Sequence, residues 1–356
     1  MSARVLTVVG ARPQFIKAAP VSRALKEAGV HEVMLHTGQH FDELMSEVFF
    51  RELGLDKPAY NLEIGGLAPG AMAGRMLEKI STVLADEKPA MVLVYGDTTS
   101  TLAGALAATQ LHIPVAHVEA GLRSFNRAMP EETNRVLADH VSSLLFCPTR
   151  TAVENLAREG IMEGVHAVGD VMFDATLSAT QRSAQSRILE TCKLKPKTYA
   201  VATIHRAENT DDAARFGKIA AWLGEAEKTM PIVMPVHPRT KKIIGQALSN
   251  LQLIEPLGYL DMAWLMHNAA AVYTDSGGLQ KEAYFHRVPC VTLRDETEWV
   301  ETVEAGWNRL WTIADYKPRR EITDYGTGDA AQKIAALIAE TLAQVPKRRA
   351  PASISA

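Results

Sequence analysis

Short apolar runs alternate with segments of helical period along most of the chain. Each run of four to seven residues stops at a polar residue or a glycine, and apolar residues spaced three or four apart fill the segments between. This alternation is typical of βαβ units and of parallel sheets. In the first half it predicts strands at 4–9, 31–36, 91–95, 113–118, 144–146 and 166–168, and helices at 14–28, 41–53, 71–85, 100–110, from 130, and 151–159.

The same alternation restarts after Gly169 and Asp170. A long helix is predicted over 171–189, and then come strands at 199–204, 232–236, 253–255, 271–274, 290–293 and 310–312, with helices at 212–228, 241–248 and 330–343. We therefore predict an α/β fold with two Rossmann-like, doubly wound parallel-sheet domains, 1–169 and 170–329, facing a cleft. The small, basic tail 346–356 is predicted to be disordered.

Composition narrows the class of protein. The 356 residues are 47% hydrophobic and 22% charged, which suffices for a full core in about two domains. A net charge of −3 gives no general attraction for nucleic acid or for an anionic membrane. Cys147, Cys192 and Cys290 lack ligand spacing, and no 18-residue apolar run occurs. We expect a cytoplasmic protein that neither crosses a membrane nor binds nucleic acid.

Polar residues follow the predicted strands at the ends where ligands of parallel sheets bind. Since the carboxyl ends of parallel strands share one edge, we expect these residues to line the cleft. They are Arg12, Gln39–His40, Asp97, Glu119, His205, His237 and Asp275–Ser276.

The stretch from His117 to Arg135 is unusually rich in ionisable groups. Glu119 closes an apolar run, so we expect a partly desolvated carboxylate with a raised pKa, suited to general acid/base catalysis. Glu131 and Glu132 lie just after Pro130, where the dipole of a predicted helix stabilises acidic residues. That role, with a pair between Glu131 and Arg135, is the structural alternative to catalysis.

Several groups suit a phosphate. Arg12 and Lys17 lie on either side of the first turn of the first helix, although a solvated helix-end charge explains Arg12 as well. Ser276, Gly277 and Gly278 open a predicted helix after a strand and can hold a diphosphate, with Glu282 within reach of a ribose; an N-cap role is the alternative for Ser276. His205 beside Arg206, and more weakly His237, also suit pyrophosphate, while Asp97 suits an N-cap as well as catalysis.

Familiar motifs of other enzyme classes are missing. The sequence contains no Gly-x-Gly-x-x-Gly, no His-Glu-x-x-His, no Asp-x-Asp and no Gly-x-Ser-x-Gly. We therefore expect no dinucleotide cofactor, no metal and no serine nucleophile. Any diphosphate would be neutralised by the basic groups and helix turns described above.

These residues form blocks that resemble the non-hydrolysing UDP-N-acetylglucosamine 2-epimerases over nearly the whole chain. The blocks are Gly10-x-Arg-Pro13 with Lys17, Thr37-Gly-Gln-His40, Gly96-Asp-Thr-Thr99, His117-Val-Glu-Ala-Gly-Leu-Arg-Ser124, Pro130-Glu-Glu-x-Asn-Arg135, Asp139-His140, His205-Arg-x-Glu-Asn209, Pro235-Val-His237, and Thr274-Asp-Ser-Gly-Gly-Leu-Gln280 with Glu282.

The resemblance implies a fold of the glycosyltransferase-B type, with the C-terminal helix (330–345) packing back on the first domain. It implies epimerisation at C2 by elimination and re-addition of UDP, without a cofactor. Asp97, Glu119 and Glu131 would be the acid/base carboxylates, and His205 with Arg12 would stabilise departing UDP. UDP or substrate would also be held by Lys17, Arg123, Arg135, His237, Ser276, Gly277, Gly278 and Glu282. A homodimer is the default expectation.

Two segments distinguish branches of that family. Residues 124–130 (Ser-Phe-Asn-Arg-Ala-Met-Pro) and 297–301 (Thr-Glu-Trp-Val-Glu) are more similar to the branch acting on UDP-2,3-diacetamido-2,3-dideoxy-glucuronate, a precursor in lipopolysaccharide biosynthesis. A uronate would need an extra positive group, for which Arg123, Arg127 and Lys281 are candidates. Phe41 and Ala207 replace arginines usual in the family, which weakens the expectation of an allosteric nucleotide-sugar site.

Other functions remain open at this stage. They are a 2-epimerase acting on UDP-N-acetylglucosamine, a hydrolysing relative that releases UDP, a glycosyltransferase of the same fold, and an inactive nucleotide-sugar binder. The acidic stretch from His117 to Arg135 would be surplus in a glycosyltransferase, and the joint presence of Asp97, Glu119 and Glu131 argues against an inactive binder.

Overall fold

The chain folds into two compact units, each built on one parallel sheet. The computed structural model describes residues 4–39, 47–236, 247, 248 and 250–344. Of these, 4–39, 54–171 and 324–344 belong to the first unit, and the rest belong to the second. No helix in the described ranges is long and apolar enough to cross a bilayer.

The first unit contains a seven-stranded sheet in the order β3-β2-β1-β4-β5-β6-β7, and every neighbouring pair is parallel. Its strands are β1 (Arg4–Val9), β2 (His31–His36), β3 (Tyr60–Asn61), β4 (Met91–Tyr95), β5 (Val115–Val118), β6 (Leu144–Cys147) and β7 (Val165–Ala167). Its helices are α1 (Arg12–Glu27), α3 (Pro69–Glu87), α4 (Thr99–Gln110), α5 (Pro130–Val141), α6 (Arg150–Arg158) and α14 (Ala330–Gln344).

The central strands of this sheet are covered by protein on both faces. Every residue of β4 and of β5 is buried, as expected where helices cover both sides of a parallel sheet. The helices α3 and α4 pack on one side of it, and α14 packs against α1. Because β1, β4 and β5 are neighbours, their carboxyl ends bring Arg12, Asp97 and Glu119 to one edge.

The second unit contains a six-stranded parallel sheet in the order β10-β9-β8-β11-β12-β13. Its strands are β8 (Ala200–Thr203), β9 (Ile232–Pro235), β10 (Gln252–Ile254), β11 (Ala271–Thr274), β12 (Cys290–Thr292) and β13 (Asn308–Leu310). Its helices are α2 (Glu47–Leu53), α7 (Val171–Arg182), α8 (Ile188–Thr191), α9 (Ala207–Thr210), α10 (Ala213–Glu227), α11 (Tyr259–His267), α12 (Gly277–Phe285) and α13 (Val300–Glu304).

Two apolar cores lie on opposite faces of the second sheet. Ala202 and Met234 belong to one core, whereas Val201, Val233 and Val272 belong to the other. Successive residues of a strand point to opposite faces, so this alternation shows helices packed on both sides. The expected fold class, two doubly wound parallel sheets, is confirmed.

Some elements differ from the sequence-based expectation. The helix predicted over 171–189 ends at Arg182, and a 3₁₀ turn at Ser183–Gln185 separates it from α8. The hydroxyl of Ser186 accepts from the backbone N–H of Ile188 at 3.2 Å, which favours a new start over continuation. The segment with α2 belongs to the second unit, not to the 1–169 domain. Phe41, helix 241–248 up to residue 246 and the tail 346–356 lie outside the described residues.

Candidate active site

Glu119 lies at the carboxyl end of β5 in a left-handed backbone conformation. Its φ is +72°, which few non-glycine residues adopt, and its backbone N–H and that of Ala120 both donate to the carbonyl of Phe146 at 3.1 Å. Only 6% of Glu119 is exposed. The expected burial of this carboxylate is therefore confirmed, and its unusual backbone is typical of functional positions.

Lys17 supplies the countercharge of Glu119. Its ammonium extends from α1 and forms an ion pair and hydrogen bond with Oε2 of that carboxylate. The pair also lies close to Gly96, since a Cβ atom at that position would be 3.3 Å from Glu119 Oε2. Lys17 was expected to bind phosphate, and the structure places its ammonium beside the acid/base candidate.

Asp97 lies at the carboxyl end of β4 and forms an ion pair with Arg135 of α5 through Oδ2. The side-chain amide of Asn134 donates to the Asp97 carbonyl at 3.0 Å. The N-cap of α4 is Thr98, whose side chain accepts from Thr101. The N-cap alternative for Asp97 is therefore wrong, and its carboxylate, about a third exposed, is held by a guanidinium at the sheet edge.

Glu132 has a different role from the one its position suggested. It is buried and accepts hydrogen bonds from the backbone N–H and hydroxyl of Ser124, both at 2.8 Å, and from the N–H of Phe125 at 2.9 Å. Arg135 pairs with Glu132 at 3.0 Å rather than with Glu131, which is exposed. Burial by itself raises the pKa of Glu132, but the hydrogen bonds from Ser124 and Phe125 outweigh it and lower that pKa. Glu132 therefore holds the loop at Ser124 and Phe125 by hydrogen bonds, and stabilisation by the helix dipole alone does not explain its position.

Arg123 is a structural cation. Its side chain is 1% exposed, donates to Asp139 at 2.7 Å and holds both carboxylate oxygens of Glu159 at 2.7 Å. It also donates to the carbonyl of Leu122. With its N–H groups engaged inside the protein, Arg123 does not suit the binding of a sugar or a diphosphate, which corrects the expectation from the sequence.

The loop between β1 and α1 is fixed by the buried side chain of Gln14, for which the sequence predicted no role. Gln14 accepts from the N–H groups of Gly10 and Ala11 at 2.7 and 3.1 Å and donates to the carbonyl of Tyr95 at 2.7 Å. Arg12, half-buried, is the first residue of α1. The contact with Tyr95 ties the Arg12 loop to the end of β4, which carries Asp97.

In the second unit, Asp275 fixes the turn that carries His205. The carboxylate is 0% exposed and accepts from the backbone N–H groups of His205 and Arg206 and from the side-chain amide of Asn209, all at 3.0–3.1 Å. The imidazole-bearing residue His205 remains exposed. The sequence placed Asp275 among the residues expected to line the cleft but gave it no part in holding His205; its position after β11, beside β8, was the available signal.

The first turn of α12 is open to solvent. Ser276 is its N-cap residue but makes no side-chain cap hydrogen bond, and Gly278 is exposed. A Cβ on Gly277 would overlap Oε1 of Glu298, and Arg294 donates to the other oxygen, Oε2, of that carboxylate at 2.6 Å. Glu282 lies one turn further, with Oε1 3.8 Å from the Cβ position of Gly278. A helix N-terminus with small residues is a favourable place for an anion, and here the carboxylate of Glu298 lies beside Gly277.

Two further candidates have different outcomes. Lys281 is 1% exposed, with its ammonium 4.0 Å from the ring centre of Trp299, so it is not presented to solvent. His237 lies outside the described residues. Within those residues, no cluster of three or more His, Cys, Asp or Glu side chains is arranged to hold a metal ion.

Comparison with known proteins places this geometry in a family. The sequence profile described as UDP-N-acetylglucosamine 2-epimerase matches residues 23–339. A Methanococcus maripaludis protein named UDP-N-acetylglucosamine 2-epimerase homolog is 49% identical over 353 residues, covering 93% of this chain and 98% of that protein. The Pseudomonas aeruginosa UDP-2,3-diacetamido-2,3-dideoxy-D-glucuronate 2-epimerase is 52% identical over 314 residues, covering 86% of this chain and 88% of the relative.

Solved structures agree with the sequence comparison. The crystal structure of Methanocaldococcus jannaschii UDP-GlcNAc 2-epimerase in complex with UDP-GlcNAc and UDP has a TM-score of 0.83 at 41% identity, covering 96% of this chain and 100% of that one. The expected glycosyltransferase-B type of fold is thereby confirmed. The chain belongs to the UDP-N-acetylglucosamine 2-epimerase family, a group of isomerases that act on UDP-sugars.

Proposed function

We propose that this protein inverts C2 of a UDP-2-acetamido sugar by eliminating UDP and adding it back. The observation that carries the proposal is the pair of cation-held carboxylates on neighbouring strands of the first unit. Glu119 follows β5 and is paired with Lys17, and Asp97 follows β4 and is paired with Arg135. Two carboxylates at one sheet edge provide a proton acceptor and a proton donor for the same carbon.

The chemistry needs no co-reactant. A carboxylate removes the C2 proton, the C–H electron pair forms the C1–C2 double bond, and the C1–O bond breaks with its electrons leaving on UDP. The intermediate is a 2-acetamidoglucal. UDP then attacks C1 while a proton returns to C2 on the opposite face. A C2 proton beside only an acetamido carbon is weakly acidic, so loss of a good leaving group makes its removal feasible.

The residues divide the work between proton transfer and leaving-group binding. Glu119, Asp97 and the exposed Glu131 transfer protons. UDP is held by Ser276, Gly277, Gly278 and Glu282 at the start of α12, by His205, whose turn Asp275 fixes, and by Arg12. Lys17 and Arg135 position the carboxylates as ion-pair partners.

For the substrate, we propose UDP-2,3-diacetamido-2,3-dideoxy-glucuronate, in a cytoplasmic, homodimeric enzyme of surface-polysaccharide synthesis. The 52% identity to the Pseudomonas aeruginosa relative and the two branch segments at 124–130 and 297–301 support this choice. Of the three cations considered for the uronate, the side chains of Arg123 and Lys281 are buried, whereas Arg127 is exposed on the loop that Glu132 holds. Arg127 is therefore our candidate for the uronate.

UDP-N-acetylglucosamine is the second candidate substrate. Its support is the similarity to the Methanocaldococcus jannaschii enzyme, which was solved with UDP-GlcNAc and UDP. The two substrates share C2 chemistry and differ at C3 and C6, so the same carboxylates serve either reaction.

Proton NMR of the C2 position in D2O tests the function and separates the substrates. The full-length protein is incubated with each UDP-sugar in parallel. We expect deuterium at C2 with UDP still attached, and faster exchange with the diacetamido uronate. Release of free UDP with a 2-epimerised sugar would identify a hydrolysing relative instead. Absence of exchange with both sugars would contradict the proposal.

Glu119→Gln tests the assignment of the proton-transfer group. We expect exchange at C2 to fall by about 10²–10⁴-fold, the usual contribution of a positioned acid or base, with UDP affinity unchanged. Glu78→Gln, on the exposed side of α3, is the matched control and should keep full exchange. Loss of UDP binding together with exchange in Glu119→Gln would indicate a structural role for this glutamate.

A further inference from the structure

His117 is a buried histidine whose two ring nitrogens both contact oxygen atoms. It belongs to β5 and is 0% exposed. Its Nε2 lies 2.7 Å from the carbonyl oxygen of Gly96, and its Nδ1 lies 2.7 Å from Oδ1 of Asp139. The proposed reaction assigns no role to this residue.

Both partners of the ring are acceptors. A carbonyl oxygen has no proton to give. The Asp139 carboxylate also receives the N–H of Gly121 at 3.0 Å and Arg123 at 2.7 Å on Oδ2. Burial by itself raises the pKa of Asp139, but the charges and hydrogen bonds of His117 and Arg123 outweigh it and lower that pKa. The guanidinium of Arg123 and the N–H of Gly121, which donate to Oδ2 whatever the state of His117, favour the ionised carboxylate, and an ionised Asp139 cannot donate.

A neutral imidazole has one N–H and one lone pair, so it can donate to only one of these two oxygens. The other nitrogen would then face an oxygen lone pair inside the protein. Both contacts are hydrogen bonds only when both nitrogens carry protons. The geometry thus requires an imidazolium inside the first unit.

The surrounding charges match a protonated ring. Asp139 faces the ring from α5, and Arg123 and Glu119 lie on the loop after β5. Each of these two loop residues has its own partner: Lys17 of α1 pairs with Glu119, and Glu159 pairs with Arg123. Three carboxylates, Asp139, Glu119 and Glu159, thus meet the three cations Lys17, Arg123 and His117. A protonated His117 brings the two signs into balance; the outer carboxylate, Glu159, also lies 3.8 Å from the exposed ring of His140.

The imidazolium connects the turns that carry the two proton-transfer candidates. The carbonyl it binds belongs to Gly96, the residue before Asp97, with φ +61°. Its partner Asp139 binds the N–H of Gly121, two residues after Glu119, with φ +78°. A Cβ on Gly121 would overlap the carbonyl of Ala152, so this turn has little freedom to shift.

We propose that His117 is a permanently protonated positioning residue that, through Asp139, holds the turns of Asp97 and Glu119 in register for proton transfer at C2. The inference rests on the proposed function for the acid/base role of those carboxylates. It assigns to His117 no contact with substrate.

Nitrogen NMR of the full-length protein labelled with ¹⁵N-histidine tests the protonation state without any substrate. At pH 8, exposed histidines, with an ordinary pKa of about 6.5, are largely neutral. Of the 11 histidines, we expect one ring to keep protons on both nitrogens at this pH, and its signals to be missing from His117→Gln. If no ring is doubly protonated at pH 8, the inference is wrong, even where the variant does not fold.

His286 provides an internal contrast and a control variant. It is also buried, but its Nε2 has no hydrogen-bond partner in the described part of the chain, and burial lowers its pKa to about 3. We expect its ring to carry one proton throughout the neutral range. His286→Gln should keep kcat for C2 exchange.

For His117→Gln we expect kcat for C2 exchange to fall by about 100-fold, as for a reacting group displaced by about 1 Å, with UDP affinity unchanged. An unchanged kcat at a temperature where the variant is folded would refute the positioning role. The two outcomes are separable from those of the function itself: C2 exchange by the wild type tests the epimerase reaction, whereas the NMR spectrum tests the imidazolium alone.

Discussion

Lys17 and Glu119, 102 positions apart in the sequence, form an ion pair at the carboxyl edge of the first sheet. The side chain of Glu119 is 5% exposed and that of Lys17 is 16% exposed, so water screens the pair poorly. A buried carboxylate is costly unless a cation and hydrogen bonds compensate it. Lys17 thus stabilises one buried carboxylate, Glu119, inside the proposed active site.

Lys17→Met should therefore destabilise the fold strongly. Removing one partner of a buried pair leaves an uncompensated charge, at a cost of about 3–5 kcal/mol in the free energy of unfolding. Urea unfolding of Lys17→Met, Glu119→Gln and the double variant measures the coupling between the two. We expect the double variant to recover part of the loss, and strictly additive effects would show that the pair carries no coupling energy.

Glu132→Gln should remove an acid-sensitive contribution to stability. The folded-state pKa of Glu132 is lowered, so its carboxylate stabilises the fold above the ordinary glutamate pKa of about 4.3 and loses that contribution as the pH falls through the folded value. Urea unfolding between pH 7 and pH 3 should show a smaller acid loss for Glu132→Gln than for the wild type. At pH 7 the variant should be less stable by about 1.5–3 kcal/mol, the usual contribution of a hydrogen bond to a charged group.

Glu78→Gln is the matched control for that series because Glu78 is exposed on α3. Its acid loss should equal that of the wild type. An equal acid loss for Glu132→Gln would mean that the Ser124–Phe125 loop does not depend on this carboxylate.

Gly277→Ala should weaken UDP binding. A methyl group at this position would overlap Glu298 and intrude on the first turn of α12, where we place the diphosphate. We expect the Kd for UDP, measured by calorimetry, to rise by about tenfold or more, or 1.4 kcal/mol. Gly217→Ala is the control: it lies in α10 with open space around its Cβ position, and should raise stability by about 0.5–1 kcal/mol without changing the Kd. Equal Kd values for the two variants would place UDP elsewhere.

Arg127→Ala should discriminate between the candidate substrates. A lost charge-assisted hydrogen bond to the uronate would raise KM for UDP-2,3-diacetamido-2,3-dideoxy-glucuronate by about tenfold or more and leave KM for UDP-N-acetylglucosamine unchanged. Arg158→Ala removes an equally positive, exposed side chain from α6 and should change neither value. A parallel rise in KM for both sugars would show that Arg127 does not recognise the uronate.

The fold was predictable because its signal is local. Apolar runs marked the central strands, and β1, β2, β4 and β11 agree with their predicted limits. The two-residue strand β3 and the four-residue helix α9 were missed because neither is long enough to show a period. The break after Arg182 was missed because no proline or glycine marks it; the hydroxyl of Ser186, which accepts from the N–H of Ile188, favours the start of a new helix instead.

The site was predictable only in part, since pairing between distant residues leaves no local pattern. The sequence indicated Glu119 and Asp97 as candidate acid/base residues. It predicted that Lys17 and Arg12 bind phosphate, whereas in the structure Lys17 forms an ion pair with Glu119. The sequence predicted that Arg123 binds the substrate, although Asp139 and Glu159 form ion pairs with that guanidinium. In each case a carboxylate at least 16 positions away decided the outcome.

The proposed epimerisation requires the C1–O bond to UDP to break and re-form. The direct test uses substrate carrying ¹⁸O in the oxygen that joins C1 to the β-phosphorus, followed by ³¹P NMR during turnover in D2O. We predict that the label moves from the bridging to the non-bridging positions of the β-phosphate while deuterium enters C2, and that Glu119→Gln suppresses both. Inversion at C2 with the ¹⁸O held in the bridge throughout would contradict the elimination account.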